Sequence, residues 1–291
     1  MVVTAQMVKE LRDKTGAGML DCKKALVETD GNIEDAIDYL REKGIMKAQK
    51  KSDRIAAEGL CNIVIEGNEA VIYEINSETD FVARNQKFLD LLQTVGQAIV
   101  ASDAHDTEAA LLAPAPGGNV GDLIINATAT IGEKISLRRV SRVVKSDAQG
   151  FGAYLHQGGR IAVLTVVEKE DDEVAKNIAM HVAANNPQYL NSGDVDEATL
   201  EHERHVLTQQ ALEEGKPANI VDKMVVGRLN KYLKEICLVD QPYVKDPDQT
   251  VSNYLKTSGN NVVSFLRLAV GEGIESKACD IVEAVAELAG K

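Results

Sequence analysis

One stretch of this chain is written twice. Gly59 to Ile65 and Ala70 to Asn76 are β-rich runs separated by Gly67-Asn68, which is the pattern of a β-hairpin. A helical pattern follows, with Phe88, Leu91, Leu92, Val95 and Ile99 on one face. The same order then returns. Gly152 to His156, a turn at Gly158-Gly159 and Ile161 to Val167 read as a second hairpin, and Val174, Ile178, Met180-His181-Val182 and Ala183 as its helix. Gly59 aligns with Gly152, Ala70 with Ile161 and Val82-Ala83 with Val174-Ala175, at offsets of 93, 91 and 92 residues. A hairpin-plus-helix unit repeated at near-constant spacing predicts two related α+β subdomains, here 55–140 and 141–275.

The repeat also isolates one position. The first copy reads S-E-T-D-F-V-A-R (Ser77 to Arg84) and the second E-K-E-D-D-E-V-A-K (Glu168 to Lys176), which sets Phe81 opposite Glu173. A core seat would not tolerate a charge in the other copy, because an unpaired buried charge is costly. An exposed Phe81 that serves as a contact is therefore one reading. The other is a staple of Phe81 on its own helix start, with Thr79 or Asp80 as cap.

Ahead of the repeat lie three short helical patterns. Thr4 caps the first, whose apolar positions are Met7, Val8 and Leu11, and Gly16 and Gly18 break it. The second runs through Met19, Cys22, Ala25 and Leu26. Asn32 caps the third, with Ile33, Ala36, Ile37 and Leu40 on one face. Residues 1–40 thus form a tiny core, suited to binding and not to catalysis. The string A-L-x-x-x-x-G-N-x-x-x-A-I-x-x-L (Ala25 to Leu40) resembles the ubiquitin-associated three-helix fold. Met19 and Leu20, just after the glycine turn, read equally well as core or as contact surface. Residues 41–54, with six basic groups and two acidic ones, read as a helical or flexible basic linker.

After the second copy come two further helical patterns, 194–216 and 218–236, joined at Gly215-Lys216-Pro217. They predict an antiparallel helical hairpin inserted at about 190–237, with Asp194 as the N-cap of its first helix. Such an arm suits association. Residues 276–291 hold a last, separate helix.

Charge and motif content narrow the function. The net charge is −13, divided as +1 over residues 1–54 and −14 over 55–291. That balance argues against a nucleic-acid clamp, which needs Lys/Arg surfaces. No apolar run is long enough for a membrane span, and the N-terminus reads as a helix start and not as a signal peptide. The scattered Cys22, Cys61, Cys237 and Cys279 point to a reduced, cytoplasmic protein with neither disulfide nor zinc framework. Phosphate-loop, G-x-S-x-G and H-E-x-x-H motifs are absent from the sequence. His202 and His205, spaced i,i+3 on the arm, lack a third metal ligand in the sequence pattern. These motifs specify no enzyme, cofactor or metal, and they leave an enzyme open.

Longer tracts then carry a resemblance. V-K-E-L-R-D-K-T-G-A-G-M-L-D-C-K-K-A-L (Val8 to Leu26), T-D-F-V-A-R (Thr79 to Arg84) and I-A-M-H-V-A-A (Ile178 to Ala184) resemble the bacterial translation elongation factor Ts family. So do G-E-K-I-S-L-R-R (Gly132 to Arg139), G-K-P (Gly215 to Pro217) and V-G-E-G-I-E (Val270 to Glu275). The likeness runs in order along essentially the whole chain. It implies a guanine-nucleotide exchange factor for elongation factor Tu, in which Thr79, Asp80, Phe81 and Val82 dislodge Mg²⁺ from the partner's GTPase domain. It further implies contacts from Lys9, Arg12, Met19 and Leu20 to that domain, and from His156 and Lys176 to another domain of the partner. The helical arm corresponds to the family's homodimerisation region. Ala113 to Gly121, a turn-rich stretch, departs from the resemblance and has no role assigned by it. A reading of a different class is a ubiquitin-associated-like polypeptide-binding adaptor without exchange activity.

Overall fold

A computed structural model describes residues 3–215 and 217–274. The helix expected at 276–291, together with Cys279 and Lys216, lies outside the described residues. The fold is α+β, and the described chain forms two compact units: residues 3–64, 73–142 and 269–274, and residues 65–72 and 143–268.

The first unit begins with α1 (Ala5–Thr15), α2 (Met19–Glu28) and α3 (Ile33–Gln49). The Thr4 hydroxyl accepts the Met7 N–H at 3.3 Å, and Asn32 Oδ1 accepts the N–H groups of Glu34 and Asp35. Both caps satisfy donors that a helix start leaves open. Leu11, Cys22, Ala25, Leu26 and Ala36 are fully buried and form this bundle's core, with each larger side chain contributing about 1.5–3 kcal/mol.

The basic stretch 41–54 is not a free connector. Its first nine residues continue α3 to Gln49, and α3 packs along α7 (Val120–Ile131). Gly44 is buried, and a Cβ there would sit 3.5 Å from Ala129 Cβ. Arg41 pairs with Asp122 at 2.8 Å and Lys47 with Asp21 at 2.9 Å. The charges in the sequence describe the outer face of this helix, while a glycine supplies its inner one.

Then come β1 (Glu58–Glu66) and β2 (Glu69–Ser77), whose strands run on into the second unit, followed by α4 (Asp80–Ala83), α5 (Gln86–Val100) and α6 (Thr107–Leu112). The Ala113 to Gly121 stretch is a miniature hairpin, β3 (Pro114–Ala115) against β4 (Gly118–Asn119). It delivers Asn119 as the N-cap of α7, in a reciprocal box with Asp122. β5 (Ser136–Val144) completes a sheet of order β1-β2-β5. Tyr73, fully buried, donates to the Leu92 carbonyl at 2.7 Å and accepts from Asn62 at 3.0 Å, tying the sheet to α5.

The second unit holds β6 (Gly150–His156) and β7 (Ile161–Val167), paired antiparallel from Gly150↔Val167 to His156↔Ile161. They are followed by α8 (Asp172–Asn185), α9 (Glu197–Glu213) and α10 (Ala218–Ile236). The short strands β8 (Pro242–Tyr243) and β9 (Asp246–Thr250), then α11 (Val251–Ser258) and β10 (Val262–Ala269), complete it. Its main sheet has the order β10-β7-β6. In both sheets the second hairpin strand is central, and the third strand arrives only after helices. That shared topology is the three-dimensional form of the sequence repeat.

The arm is α9 packed on α10 around Leu207, Ala211, Val221, Val225 and Leu229. Asp194 does not cap it. Asp196 does, accepting the Thr199 N–H at 2.9 Å, whereas Asp194 accepts the Asn191 N–H within a short turn just before. Asp194 belongs to that turn, and Asp196 stands directly before the first residue of α9. Among the described residues no helix is long and apolar enough to cross a membrane.

Candidate functional site

The corner between β2 and α4 is built by opposed charges and by two hydroxyls. Thr79 adopts extended backbone (φ −128°, ψ 155°) as the N-cap of α4, and its Oγ1 accepts the Val82 N–H at 3.4 Å. Ser77 donates its hydroxyl to the Thr79 carbonyl at 3.0 Å. Asp80 closes an i,i+4 pair with Arg84 at 3.1 Å. Phe81 remains, 82% exposed, on a helix of four residues. The stapled alternative holds for its cap, which is Thr79, and not for its ring, which faces solvent.

A single carboxylate holds this corner from α7. Gly132 ends α7 in the left-handed conformation (φ 93°), which glycine adopts without penalty, and the chain turns to present Glu133. One oxygen of Glu133 accepts the backbone N–H groups of Glu78 (3.1 Å) and Thr79 (3.0 Å), and the other accepts the Thr79 hydroxyl at 2.7 Å. Lys134 extends the grip. Its backbone N–H donates to Glu78 at 2.6 Å, and its ammonium reaches the carbonyls of Ser52 and Arg54. Arg54 in turn pairs with Glu78 at 3.2 Å, and Lys51 donates to the Gly132 carbonyl. Charge-assisted hydrogen bonds of this kind are worth about 1.5–3 kcal/mol each where they are shielded from water.

The second copy builds the same corner differently. Asp171 caps α8 by accepting the Val174 N–H at 3.0 Å, and α8 continues unbroken to Asn185. Thr79 and Asp171 lie 92 residues apart, each three residues before the aligned valine. In the first copy the helix stops after Ala83 and restarts at Gln86 with Asn85 as a fresh cap. The sequence pattern shows one helix there; the second cap is what leaves a separate one-turn helix carrying Phe81.

A second polar centre underlies the sheet. Glu74 is fully buried and accepts from Arg138 Nη1 at 3.2 Å, Arg139 Nε at 2.5 Å, Asn76 Nδ2 at 2.9 Å and the Gly271 N–H at 2.8 Å. Arg139 also donates to the Ala269 carbonyl at 2.7 Å, so V-G-E-G is fastened to β2 and β5. Burial, with the Glu74 charge adding, pushes the neighbouring Cys61 thiol up to about 12 and leaves it unreactive.

The other expected contact residues separate by element. Lys9 and Arg12 are exposed one turn apart on α1, and Met19 and Leu20 are 59% and 77% exposed at the start of α2, so these two are surface and not core. His156, at the end of β6, and exposed Lys176, on α8, belong to the second unit. Tyr154 OH lies 3.2 Å from His156 Nδ1. His181 is fully buried: its Nδ1 accepts the Val244 N–H at 3.1 Å, which leaves Nε2–H to donate to Gln241 Oε1 at 2.8 Å. Burial holds its pKa below the ordinary histidine range, with the Gln241 bond opposing. His202 and His205 are both exposed on α9, and no group of three His, Cys, Asp or Glu gathers as a metal site among the described residues.

Sequence reasoning missed Glu133, Lys134 and Arg54 as parts of this site. The signal was present: G-E-K follows a helix pattern at a glycine stop, where a carboxylate is free to turn toward another element.

Two comparisons bear on this arrangement. A family model described as Elongation factor TS matches residues 78–272, starting one residue before Thr79. An elongation factor Ts from Acholeplasma laidlawii (strain PG-8A) is 57% identical over 290 residues, covering 98% of each chain.

Proposed function

Because the chain belongs to the elongation factor Ts family, we propose that it is the guanine-nucleotide exchange factor of elongation factor Tu in translation elongation. In this reading Thr79, Asp80, Phe81 and Val82 enter the GTPase domain and dislodge the Mg²⁺ that bridges nucleotide and protein, so that GDP leaves and GTP enters. Mg²⁺ neutralises the phosphates of a bound nucleotide, and losing it weakens the hold on GDP. The protein needs only a coupling free energy for this: factor and nucleotide each lower the other's affinity by the same factor. No bond is made or broken by its own side chains.

The observation that carries the reading is the exposure of Phe81, at 82%, on a corner clamped by Glu133. A solvent-facing phenyl ring on a loose loop would lose ordering entropy on docking; on a fixed corner that cost is already met. Burying the ring in a partner is worth about 2 kcal/mol, which is a factor of roughly thirty in an equilibrium. Lys9, Arg12, Met19 and Leu20 from α1 and α2, and His156 and Lys176 from the second unit, supply further contacts in the same proposal, and the arm α9–α10 supplies self-association.

The decisive experiment is the release of labelled GDP from elongation factor Tu followed by stopped flow. Acceleration by this protein is the expected result, and an unchanged release rate overturns the proposal. The exposed pair Met19 and Leu20 also suits a polypeptide-binding adaptor. That reading expects complex formation with no acceleration of GDP release, so the same trace separates the two.

A further inference from the structure

Helices α3 and α7 pack against each other and leave open space beside the contact. Gly44 and Ala129 are the small residues that bring them together. Beside the crossing, α3, α7 and the α1–α2 turn enclose a cavity of about 460 Å³, a size typical of small-molecule sites. Its walls include Ile37 and Leu40 of α3 and Leu123 and Ile125 of α7, all only half-buried. The N-terminal bundle and α7 therefore leave a shared apolar surface that neither covers.

The rim has the opposite character. Lys14, Lys24, Arg41, Lys43 and Lys47 border the cavity against two carboxylates, Asp21 and Asp122. Those carboxylates are already engaged, by Lys47 and Arg41 respectively. A cationic excess at the mouth of an apolar cavity stands out in a chain of net charge −13. Lys43 reaches over the Tyr39 ring at 5.3 Å, which holds one of these charges at the rim.

The geometry points to a binding site for an amphipathic carboxylate: a single acyl chain in the cavity, with its anionic head at the lysine rim. The apolar walls take the chain, because burying methylenes is favourable and non-directional. The rim selects the head, because a carboxylate loses water on entry and needs a cation to replace it. The site lies apart from Phe81 and is independent of the exchange reading.

Calorimetric titration of the full chain with hexanoate, octanoate and decanoate tests it, with decanol as the uncharged counterpart. One saturable site is expected, tightening roughly tenfold for each two added methylenes, and decanol should bind several-fold more weakly than decanoate. Leu123→Phe, which pushes a larger side chain into the cavity from its α7 wall, should weaken decanoate at least tenfold. Lys24→Glu, an exposed change that leaves the walls intact, should weaken decanoate several-fold and leave decanol unaffected. No saturable binding, affinity independent of chain length, or wild-type decanoate affinity in both variants overturns the assignment. Should Leu123→Phe fail to fold, Lys24→Glu and the chain-length series decide alone. Equal affinity for decanoate and decanol overturns the role given to the rim.

Discussion

The Glu133 carboxylate accepts the Thr79 hydroxyl at 2.7 Å through one oxygen and the Thr79 backbone N–H at 3.0 Å through the other. A residue at the end of α7 thereby sets the direction in which Phe81 leaves the corner. Glu133→Gln keeps one acceptor and loses both the charge and the second acceptor. Glu133→Ala loses all of them and leaves two N–H groups without partners. The expected order of GDP-release acceleration is wild type above Gln above Ala, with Ala reduced about tenfold, since one charge-assisted bond is worth about 1.5–3 kcal/mol. Stopped-flow release at saturating factor is the readout. Equal plateaus for all three proteins would detach the clamp from function.

Phe81→Ala addresses the ring itself. At 82% exposure the ring contributes little to the fold, so its removal should alter stability by less than about 0.5 kcal/mol. Exchange should fall by roughly tenfold to thirtyfold, the value of burying one phenyl ring in a partner. Thermal unfolding and GDP release measured on one preparation separate the two effects. A lowered melting temperature with an unaltered rate would return Phe81 to a structural role.

The repeat in the sequence carried the architecture. Two hairpins with aligned Gly59 and Gly152, and aligned Val82 and Val174, become two sheets in which β2 and β7 hold the same central place. The mismatch of Phe81 with Glu173 singled out the position but left contact and staple both open, and it is the structure that turns the ring to solvent. Other features were hidden for identifiable reasons. The inner face of α3 rests on Gly44, and a glycine in a lysine-rich stretch reads as a breaker until a second helix is seen against it. Asn85 reads as an ordinary polar residue in a helical pattern, yet it caps α5 and separates α4 from it. Glu133 acts over 54 residues of separation, and no local pattern records a contact of that range.

Stability should depend on pH through His181. Burial holds its folded pKa below the unfolded value near 6.5, so the unfolded chain takes up the proton first. Its contribution is complete above about pH 6.5 and is lost as pH falls from there through the folded pKa. Urea midpoints measured between neutral and mildly acid pH should drop in the wild type. His181→Leu should be less stable at neutral pH, because Val244 N–H and Gln241 lose their partner, and should show a shallower slope with pH. Equal slopes would assign the acid sensitivity to other groups.

The buried Glu74 yields a prediction on folding and none on exchange. Arg138, Arg139 and the Gly271 N–H converge on it, and removing one partner of a buried ionic network typically costs about 3–5 kcal/mol. Glu74→Ala should lower the urea midpoint by that measure and release the segment after β10, whose Ala269 carbonyl is held by Arg139. Amide hydrogen exchange at Gly271 is the direct readout, since its N–H donates to Glu74 at 2.8 Å. Continued protection at Gly271 in the variant would show that the segment is held by other contacts.

Two glycines test packing in opposite directions. A Cβ at Gly152 would lie 2.2 Å from the Ala175 carbonyl oxygen, so β6 passes α8 at a distance only glycine allows. Gly152→Ala must push backbone apart, and overpacking of this kind costs about 1–3 kcal/mol or more. Gly227 sits within α10 with nothing within 4 Å of the added carbon. Gly227→Ala should therefore raise stability by up to about 1 kcal/mol, because alanine gives up less backbone freedom than glycine in a helix. Urea midpoints of the two variants should move to opposite sides of the wild type. Movement of both in the same direction would mean that backbone entropy, and not the close approach of β6 to α8, governs Gly152.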